Sequence, residues 1–449
     1  MMSLAEAAAV LQGRASGAEA RFSAVSTDSR RIGRGELFVA LRGERYDGHE
    51  FLAAAAAAGA AGAIVDQRHT GAYPLPVVVV EDSRRALGDL ARHWRSRFSP
   101  MLIAVTGSNG KTTVKEMLAA ILRSHAGDGA VLATAGNLNN DIGLPLTLLR
   151  LRHAHRWCAL ELGMNHKGEI AYLAGIARPA VALVNNAQRE HLEFMRSVED
   201  VAAENASVYD ALPAGGVAVV NADDPQAKTF RRAAGARRVV DFGLEADAAV
   251  SARFTPAALS SELTLRLPGG EARATLAIPG LHNVRNALAA AACAHAAGIP
   301  AAAIGAGLAA FRPYAGRLQV KRARGGATVI DDSYNANPDS VRAAIDVLAA
   351  CPAPTALVLG DMGEVGERSA EYHREVGSYA CLRKISHLYA IGDATRHAVD
   401  AFGPGGQHFD SVESLVASVE GQSILVKGSR FMQMERVVSA LTGNGAGGH

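Results

Sequence analysis

The chain has 449 residues, which at ~150 residues per domain suggests roughly three domains and excludes a minimal binding module. Hydrophobic residues make up 49% and charged residues 20%, which excludes a wholly disordered chain, and aromatics at only 5% leave the cores to Ala, Val, Leu and Ile. A formal net charge of +2 excludes the broad basic field of a nucleic-acid binder.

Residues 1–14 have no basic stretch followed by an apolar core, so no signal peptide is expected. Strand-like runs at 37–41, 63–65 and 77–80 surround an alanine-rich tract. The apolar run 52–65 is mostly Ala and Gly and stops at Asp66, short of the ~20 strongly apolar residues of a membrane span. It reads as a helix running into a strand. A second region opens at Pro100 with a buried strand at 101–105 and a turn at 107–113. Val114, Met117, Leu118, Ile121 and Leu122 then repeat at helical spacing. Further strands are expected at 157–160, 181–184 and 217–220, each running into polar residues. A third region begins near Arg312-Pro313, with strands expected at 328–330, 355–359, 388–391 and 424–426. The Gly-rich tail 443–449 is expected to fray.

Strands alternating with helices predict an α/β protein with parallel sheets. Three domains are expected: a smaller α/β domain over 1–98, a central parallel-sheet domain over 99–312, and a doubly wound, Rossmann-like domain over 313–449. Ligands of such sheets gather beyond the carboxyl ends of the strands, where the polar residues fall. Cys158, Cys293, Cys351 and Cys381 form no C-x-x-C pair and read as buried free thiols in a reducing, cytoplasmic setting.

The most informative segment is Thr106-Gly107-Ser108-Asn109-Gly110-Lys111-Thr112-Thr113. Backbone N–H groups at a glycine turn and helix start cradle phosphate oxygens. Lys111 adds a point charge, and Thr112 can offer a hydroxyl to Mg²⁺. The loop is a shortened P-loop, because Val105 stands where the general pattern has its first glycine. Glu161 follows the strand 157–160 and suits a Mg²⁺ ligand, the alternative being a strand-end Glu in solvent. Asn283 and Asn286, in Gly280-Leu281-His282-Asn283, are i, i+3 neighbours that could read the adenine edge or cap the helix. Asp332, after the strand 328–330, is placed for ribose hydroxyls, and Arg317 for nucleotide phosphates on domain closure.

The Thr106–Thr113 loop resembles the ATP loop of the Mur ligases, which join amino acids or a dipeptide to the peptidoglycan precursor. Folylpolyglutamate synthase shares that central domain but reaches its phosphate loop much earlier. The segments Asp331-Asp332-Ser333-Tyr334-Asn335-Ala336-Asn337-Pro338, Gly360-Asp361-Met362-Gly363-Glu364 and Val426-Lys427-Gly428-Ser429-Arg430 resemble the D-alanyl-D-alanine-adding branch of the family. Ser26-Thr27-Asp28-Ser29-Arg30 and Asp47-Gly48-His49-Glu50-Phe51 resemble that branch's substrate domain. No Asp-Asn-Pro-Arg motif of the diaminopimelate- or lysine-adding branches is present in the last region.

The resemblance implies an ATP- and Mg²⁺-dependent ligase joining D-alanyl-D-alanine to UDP-N-acetylmuramoyl-tripeptide. A monomer that neither binds nucleic acid nor inserts in membranes is expected. Lys111, Glu161 and His191 would be catalytic, with Thr112, Glu161 and His191 on the metal. Residues 107–113, Asn137, His282, Asn283, Asn286, Arg317 and Asp332 would bind the nucleotide. Thr27, Ser29, Arg30, Asp47, His49, Asn139, Asn140, Asn335, Asn337 and Lys427 would bind the other substrates. One departure stands out: Asn205 falls where family members commonly carry a carbamylated lysine. Glu204, an ordered water or Asn205 itself is expected to replace it. The rivals are another amide ligase of the superfamily and a nucleotide-gated binding protein.

Overall fold

The structure, a computed structural model, describes residues 1–190 and 193–443. His191 and the tail from residue 444 lie outside the described residues. Three sheets of five or six strands follow one another along the chain, each surrounded by helices.

The leading sheet contains β1 (Arg14–Ser16), β2 (Val25–Ser26), β3 (Leu37–Val39), β4 (Gly62–Asp66) and β5 (Val77–Val80), in the order β1-β5-β4-β3-β2. Only β1 runs antiparallel to its neighbour. β4 is buried along its whole length, as expected of a strand in a sheet covered on both faces. The alanine tract divides as the sequence suggests, with α1 (Leu52–Ala57) turning into β4. After β5, α2 (Ser83–Ser96) starts at Asp82, whose side chain accepts from the N–H groups of Arg84 and Arg85.

The central sheet is wholly parallel, in the order β11-β10-β9-β6-β8-β7. In chain order it comprises β6 (Met101–Thr106), β7 (Val131–Ala133), β8 (Trp157–Glu161), β9 (Val181–Val184), β10 (Val217–Asn221) and β11 (Arg238–Phe242). Helix α3 (Lys111–Ala126) leaves the end of β6, and Val114, Met117, Leu118, Ile121 and Leu122 are all buried beneath it. Helices α4 (Glu169–Ala177) and α5 (Val198–Ala206) connect the next strands. The chain lays β8 on one side of β6 and β9 on the other, so a crevice opens at the carboxyl end of β6.

A three-stranded antiparallel sheet follows, made of β12 (Ser251–Pro256), β13 (Ser261–Leu267) and β14 (Gly270–Leu276). The sequence reading passed over it, although Leu263, Leu265 and Leu267 alternate with exposed Glu262 and Arg266. It leads into α6 (Leu281–Ala296), whose buried alanines let the helix sit close under the central sheet.

The last sheet has the order β15-β16-β20-β17-β18-β19, with β15 (Gln319–Arg322), β16 (Thr328–Asp332), β17 (Thr355–Gly360), β18 (His387–Ile391), β19 (Gly406–Phe409) and β20 (Ser423–Lys427). Helices α7 (Pro338–Ala349) and α8 (Ser369–Leu382) flank it. The final strand β20 inserts between β16 and β17, making a second crevice at their carboxyl ends.

Two continuous cores tie the regions together. One joins Leu87, Leu90 and Trp94 of α2 to Leu148, Leu173 and Ile176 of the central region. The other runs from Ile121 and Leu288 to Ile345 and Leu348 of the last region. Among the described residues no helix is long and apolar enough to cross a membrane. Cys158, Cys293 and Cys351 are buried free thiols as expected, but Cys381 is exposed on α8, which corrects the expectation for that residue.

Candidate active site

The strand–turn–helix read from residues 101–126 is present, and Gly110 is its sharpest constraint. Gly110 takes a left-handed conformation at φ +82°, and a Cβ there would lie 2.3 Å from Asn286 Oδ1. Only glycine fits both the torsion and the space. Thr112 and Thr113 fall in the first turn of α3, where backbone N–H groups point outward at the crevice. Lys111 curls back over the loop, its Nζ donating to the carbonyls of Gly107 at 2.6 Å and Ser108 at 2.9 Å. It also meets Glu190 at 3.3 Å, a pairing that the sequence reading did not anticipate.

Behind the loop runs a chain of amides. Asn185 Nδ2 donates to the Asn109 carbonyl at 2.8 Å and to Asn286 Oδ1 at 3.1 Å, and Asn286 Nδ2 donates to Asn283 Oδ1 at 3.0 Å. Asn186 Oδ1 accepts from the Asn109 N–H at 2.8 Å. The phosphate loop and the start of α6 are thus one hydrogen-bonded unit. Asn185 and Asn186 escaped the sequence reading, although they directly follow β9 at a strand end where ligands gather. His282 sits against Asn283 Nδ2 at 3.1 Å, and its desolvation lowers it to about 4, so the ring is neutral.

Glu161 ends β8 and is buried, not exposed at the strand end. Asn139 Nδ2 donates to its Oε1 at 2.7 Å, while its Oε2 is buried without a partner. A buried carboxylate oxygen left unmatched is costly unless a cation completes it. This donor fits Mg²⁺, which prefers oxygen, and the Thr112 hydroxyl is of the same kind. No group of three or more His, Cys, Asp and Glu that could hold a metal occurs among the described residues.

Glu204 and Asn205, two of the candidates for the replacement of that lysine, both make contacts within the fold. Glu204 accepts from the N–H groups of Gly168 and Ile170, both at 2.9 Å, and so holds the start of α4. Asn205 is fully buried, accepting from the Thr106 hydroxyl at 2.6 Å and donating to the Val201 carbonyl at 3.0 Å. It therefore braces the strand end before the phosphate loop. Lys115, also missed, is fully buried and donates to the Thr134 carbonyl at 2.8 Å, while Thr134 Oγ1 accepts from the Glu161 N–H at 3.0 Å. Its signal was a lysine lodged between the apolar positions of α3.

The last region meets this site through α7. Asn337 caps α7, its Oδ1 accepting from the Ser340 N–H at 2.9 Å, and its Nδ2 donates to Asn109 Oδ1 at 2.9 Å. The side chain expected on the dipeptide is thus a helix cap bridged to the phosphate loop. Asp332 lies within β16, not beyond it, and its Oδ2 accepts from Lys427 Nζ at 2.6 Å. Lys427 also donates to the Asn335 carbonyl at 2.9 Å, and burial lowers its ammonium below the usual lysine range. Arg317 stacks on the Tyr334 ring, 4.1 Å from the centroid.

The leading-region residues stand apart from this network. Thr27 and Ser29 are half-buried beside Asp28, which Arg30 holds down to about 2 through paired contacts at 2.9 Å. Asp47 and His49, expected on the substrate, instead lock the fold. Asp47 Oδ1 meets His49 Nδ1 at 2.6 Å, and His49 Nε2 accepts from the Asp66 N–H at 3.0 Å. Both ring nitrogens of the buried His49 are engaged within the fold. Asn140 is likewise a local cap, accepting from the N–H groups of Ile142 and Gly143.

Three family models match the chain: Mur ligase family, catalytic domain, over 21–95; Mur ligase middle domain over 105–294; and Mur ligase, glutamate ligase domain, over 316–430. The chain is 41% identical to the UDP-N-acetylmuramoyl-tripeptide–D-alanyl-D-alanine ligase of Escherichia coli, over 99% of each chain. It is similar to a crystal structure of MurF from Acinetobacter baumannii, with a TM-score of 0.91, 34% identity and 99% coverage of both chains. It also resembles the MurF ligase of Thermotoga maritima in complex with ADP, with a TM-score of 0.81 and 27% identity over 94% of this chain and 97% of that one.

Proposed function

The chain belongs to the Mur ligase family, and on that premise we propose that it joins D-alanyl-D-alanine to UDP-N-acetylmuramoyl-tripeptide at the expense of ATP. The observation that carries this reading is the 41% identity to the Escherichia coli ligase of that name over 99% of each chain. The resemblance to an ADP-bound MurF supports the nucleotide.

The reaction forms a bond between a carboxylate oxygen of the tripeptide and the γ-phosphorus of ATP, releasing ADP. The amine of D-alanyl-D-alanine then attacks the acyl carbon, loses a proton and expels phosphate. The physical obstacle is bringing a carboxylate up to a polyanion. Lys111, already turned over the loop, neutralises phosphate charge where it grows in the transition state, as do the N–H groups of the first turn of α3. Mg²⁺, when bound, would further screen that repulsion, held by Glu161 and Thr112 with His191. Asn139 holds Oε1 of Glu161, which would leave Oε2 as the donor to the ion.

Asn283, Asn286 and Asn137 would hold the nucleoside, and Arg317 the phosphates. Region 1–98, through Thr27, Ser29 and Arg30, would take the UDP-sugar. Region 99–312 would take ATP. Region 313–449, through Asn335 and Lys427, would take the dipeptide in the crevice beside β20. With three substrates assembled between three regions, water is excluded from the acyl phosphate until the amine arrives. The setting would be the cytoplasmic stage of precursor synthesis.

The test is ADP release by purified protein with ATP, Mg²⁺ and UDP-N-acetylmuramoyl-tripeptide, with and without D-alanyl-D-alanine. Release that requires the dipeptide, with product of the corresponding mass, supports the reading. Release with single amino acids and none with the dipeptide assigns another branch of the family.

A further inference from the structure

Tyr334 lies two residues beyond β16, and two cations from different segments of the chain meet on its ring. Arg317, on the linker entering the last region, places its guanidinium 4.1 Å from the ring centroid. Arg430, just past β20, lies 5.9 Å away on the same ring. The linker is fitted to this ring: the Tyr334 N–H donates to the Gly316 carbonyl at 3.2 Å, and a Cβ on Gly316 (φ +72°) would press to 3.2 Å from Tyr334.

The way Arg317 is held matters chemically. A carboxylate partner would spend the in-plane donors of the guanidinium. A ring face fixes the plane and leaves those donors open for an anion. Arg317 Nε is buried and has no hydrogen-bond partner, so the side chain is ordered by stacking while its donors remain unspent. Three residues further on, Asn337 Nδ2 donates to Asn109 Oδ1 of the phosphate loop at 2.9 Å, so the segment that carries the stacked pair borders the phosphate site.

We propose that Tyr334 is a positioning residue that holds Arg317 edge-on to the transferred phosphoryl group. This rests on the ligase reading above. Tyr334 touches no reacting atom in this role; its effect passes through Arg317.

The test compares Tyr334→Phe, Tyr334→Leu, Arg317→Ala and the double variant Arg317→Ala/Tyr334→Leu in the dipeptide-dependent ADP-release assay. Thermal unfolding checks each fold. Tyr334→Phe keeps the ring face and should stay within about threefold of the parent kcat, whereas Tyr334→Leu should lose about 3- to 30-fold, the range of a desolvated cation–ring contact. KM for UDP-N-acetylmuramoyl-tripeptide should not move. The double variant should be no slower than Arg317→Ala, and added guanidinium should restore Arg317→Ala but not the double variant. Parent-like turnover by Tyr334→Leu overturns the proposal, and so does a double variant whose loss is the product of the two single losses. If Tyr334→Leu does not fold, Arg317→Lys replaces it: an ammonium cannot stack as a plane, so parent-like turnover there overturns the proposal too. A parent protein without dipeptide-dependent ADP release would sink the ligase reading itself, a result distinct from any of these.

Discussion

Arg189 lays one guanidinium across the carboxylate of Glu375, with Nη1 to Oε2 at 2.7 Å and Nη2 to Oε1 at 3.0 Å. The same group reaches Asp339 at 2.6 Å, and Arg342 adds a second cation to Glu375 at 2.8 Å. Arg189 lies on the loop after β9, Asp339 on α7 and Glu375 on α8, so this cluster fastens the last region to the loop that also carries Glu190. Paired geometry of this kind is the strong form of ion pair.

Arg189→Ala should therefore loosen the seating of the last region. The side chains are about a quarter exposed, so the loss is discounted from that of a buried pair to about 1–3 kcal/mol. Small-angle scattering of the ligand-free variant should show a larger radius of gyration, and KM for the dipeptide should rise. Arg189 holds Glu375 down to about 2. A carboxylate with a depressed value contributes fully above its unfolded value of about 4.3 and loses that contribution as pH falls toward about 2. Seating by this cluster should thus be constant from pH 5 to 8 and fail only in strong acid. A radius that changes near neutral pH in the parent and not in the variant would contradict this.

Glu190 places a carboxylate 3.3 Å from Lys111, the lysine proposed to receive ATP phosphates. Lys111→Ala should abolish ADP release, by at least about 100-fold as for loss of an electrostatic stabiliser of the transition state, while leaving the unfolding midpoint close to that of the parent. Glu190→Gln removes a negative charge that competes with phosphate for the same ammonium. Its affinity for ADP without Mg²⁺, measured by calorimetry, should rise about threefold or more. Weaker ADP binding in that variant would show that Glu190 helps the nucleotide instead of holding its place.

Asn139→Ala frees Glu161 Oε1 without removing the carboxylate. Because the amide only aims the ligand, Mg²⁺ affinity should fall about 10- to 100-fold, as for loss of a supporting partner around a metal ligand. Glu161→Gln should fall further. Mn²⁺ binding followed by paramagnetic relaxation reads this independently of turnover. Unchanged Mn²⁺ binding in Glu161→Gln would remove Glu161 from the metal site.

How much of this was legible follows from where the signals lie along the chain. The phosphate loop, Glu161 and the Asn283–Asn286 pair are local patterns, each a strand end or helix start with special residues, and the position of all three in the fold was readable. Arg189, Glu190, Asn185 and Lys115 owe their roles to partners 76 to 186 positions away or, for Lys115, to a carbonyl 19 positions away. Nothing in their immediate sequence announces those partners. Asp47, His49, Asn140 and Asn337 show a second kind of ambiguity. Polar side chains at turns and helix starts look like ligand groups, yet such positions also demand side-chain partners for unpaired backbone N–H groups, and each of these four meets that demand. The antiparallel sheet was missed because a short alternating stretch inside a long α/β region was read with its surroundings.

His49 offers a test of that distinction. Its two ring nitrogens join Asp47 to the Asp66 N–H, and Asp66 in turn accepts from Arg42 Nε at 2.7 Å. His49→Ala would leave the buried Asp66 N–H without its acceptor and open a cavity beside β4, costing about 2–4 kcal/mol in urea unfolding. A substrate-binding histidine would behave otherwise, raising KM for the UDP-sugar with little change in stability. The lock predicts the reverse: a lower unfolding midpoint, and a KM for UDP-N-acetylmuramoyl-tripeptide within about twofold of the parent at a temperature where the variant is folded. Arg30→Ala supplies the contrast, because an exposed cation paired to Asp28 contributes little to stability. There the midpoint should hold and the KM should rise. A raised KM in His49→Ala at full folding would return His49 to the substrate site.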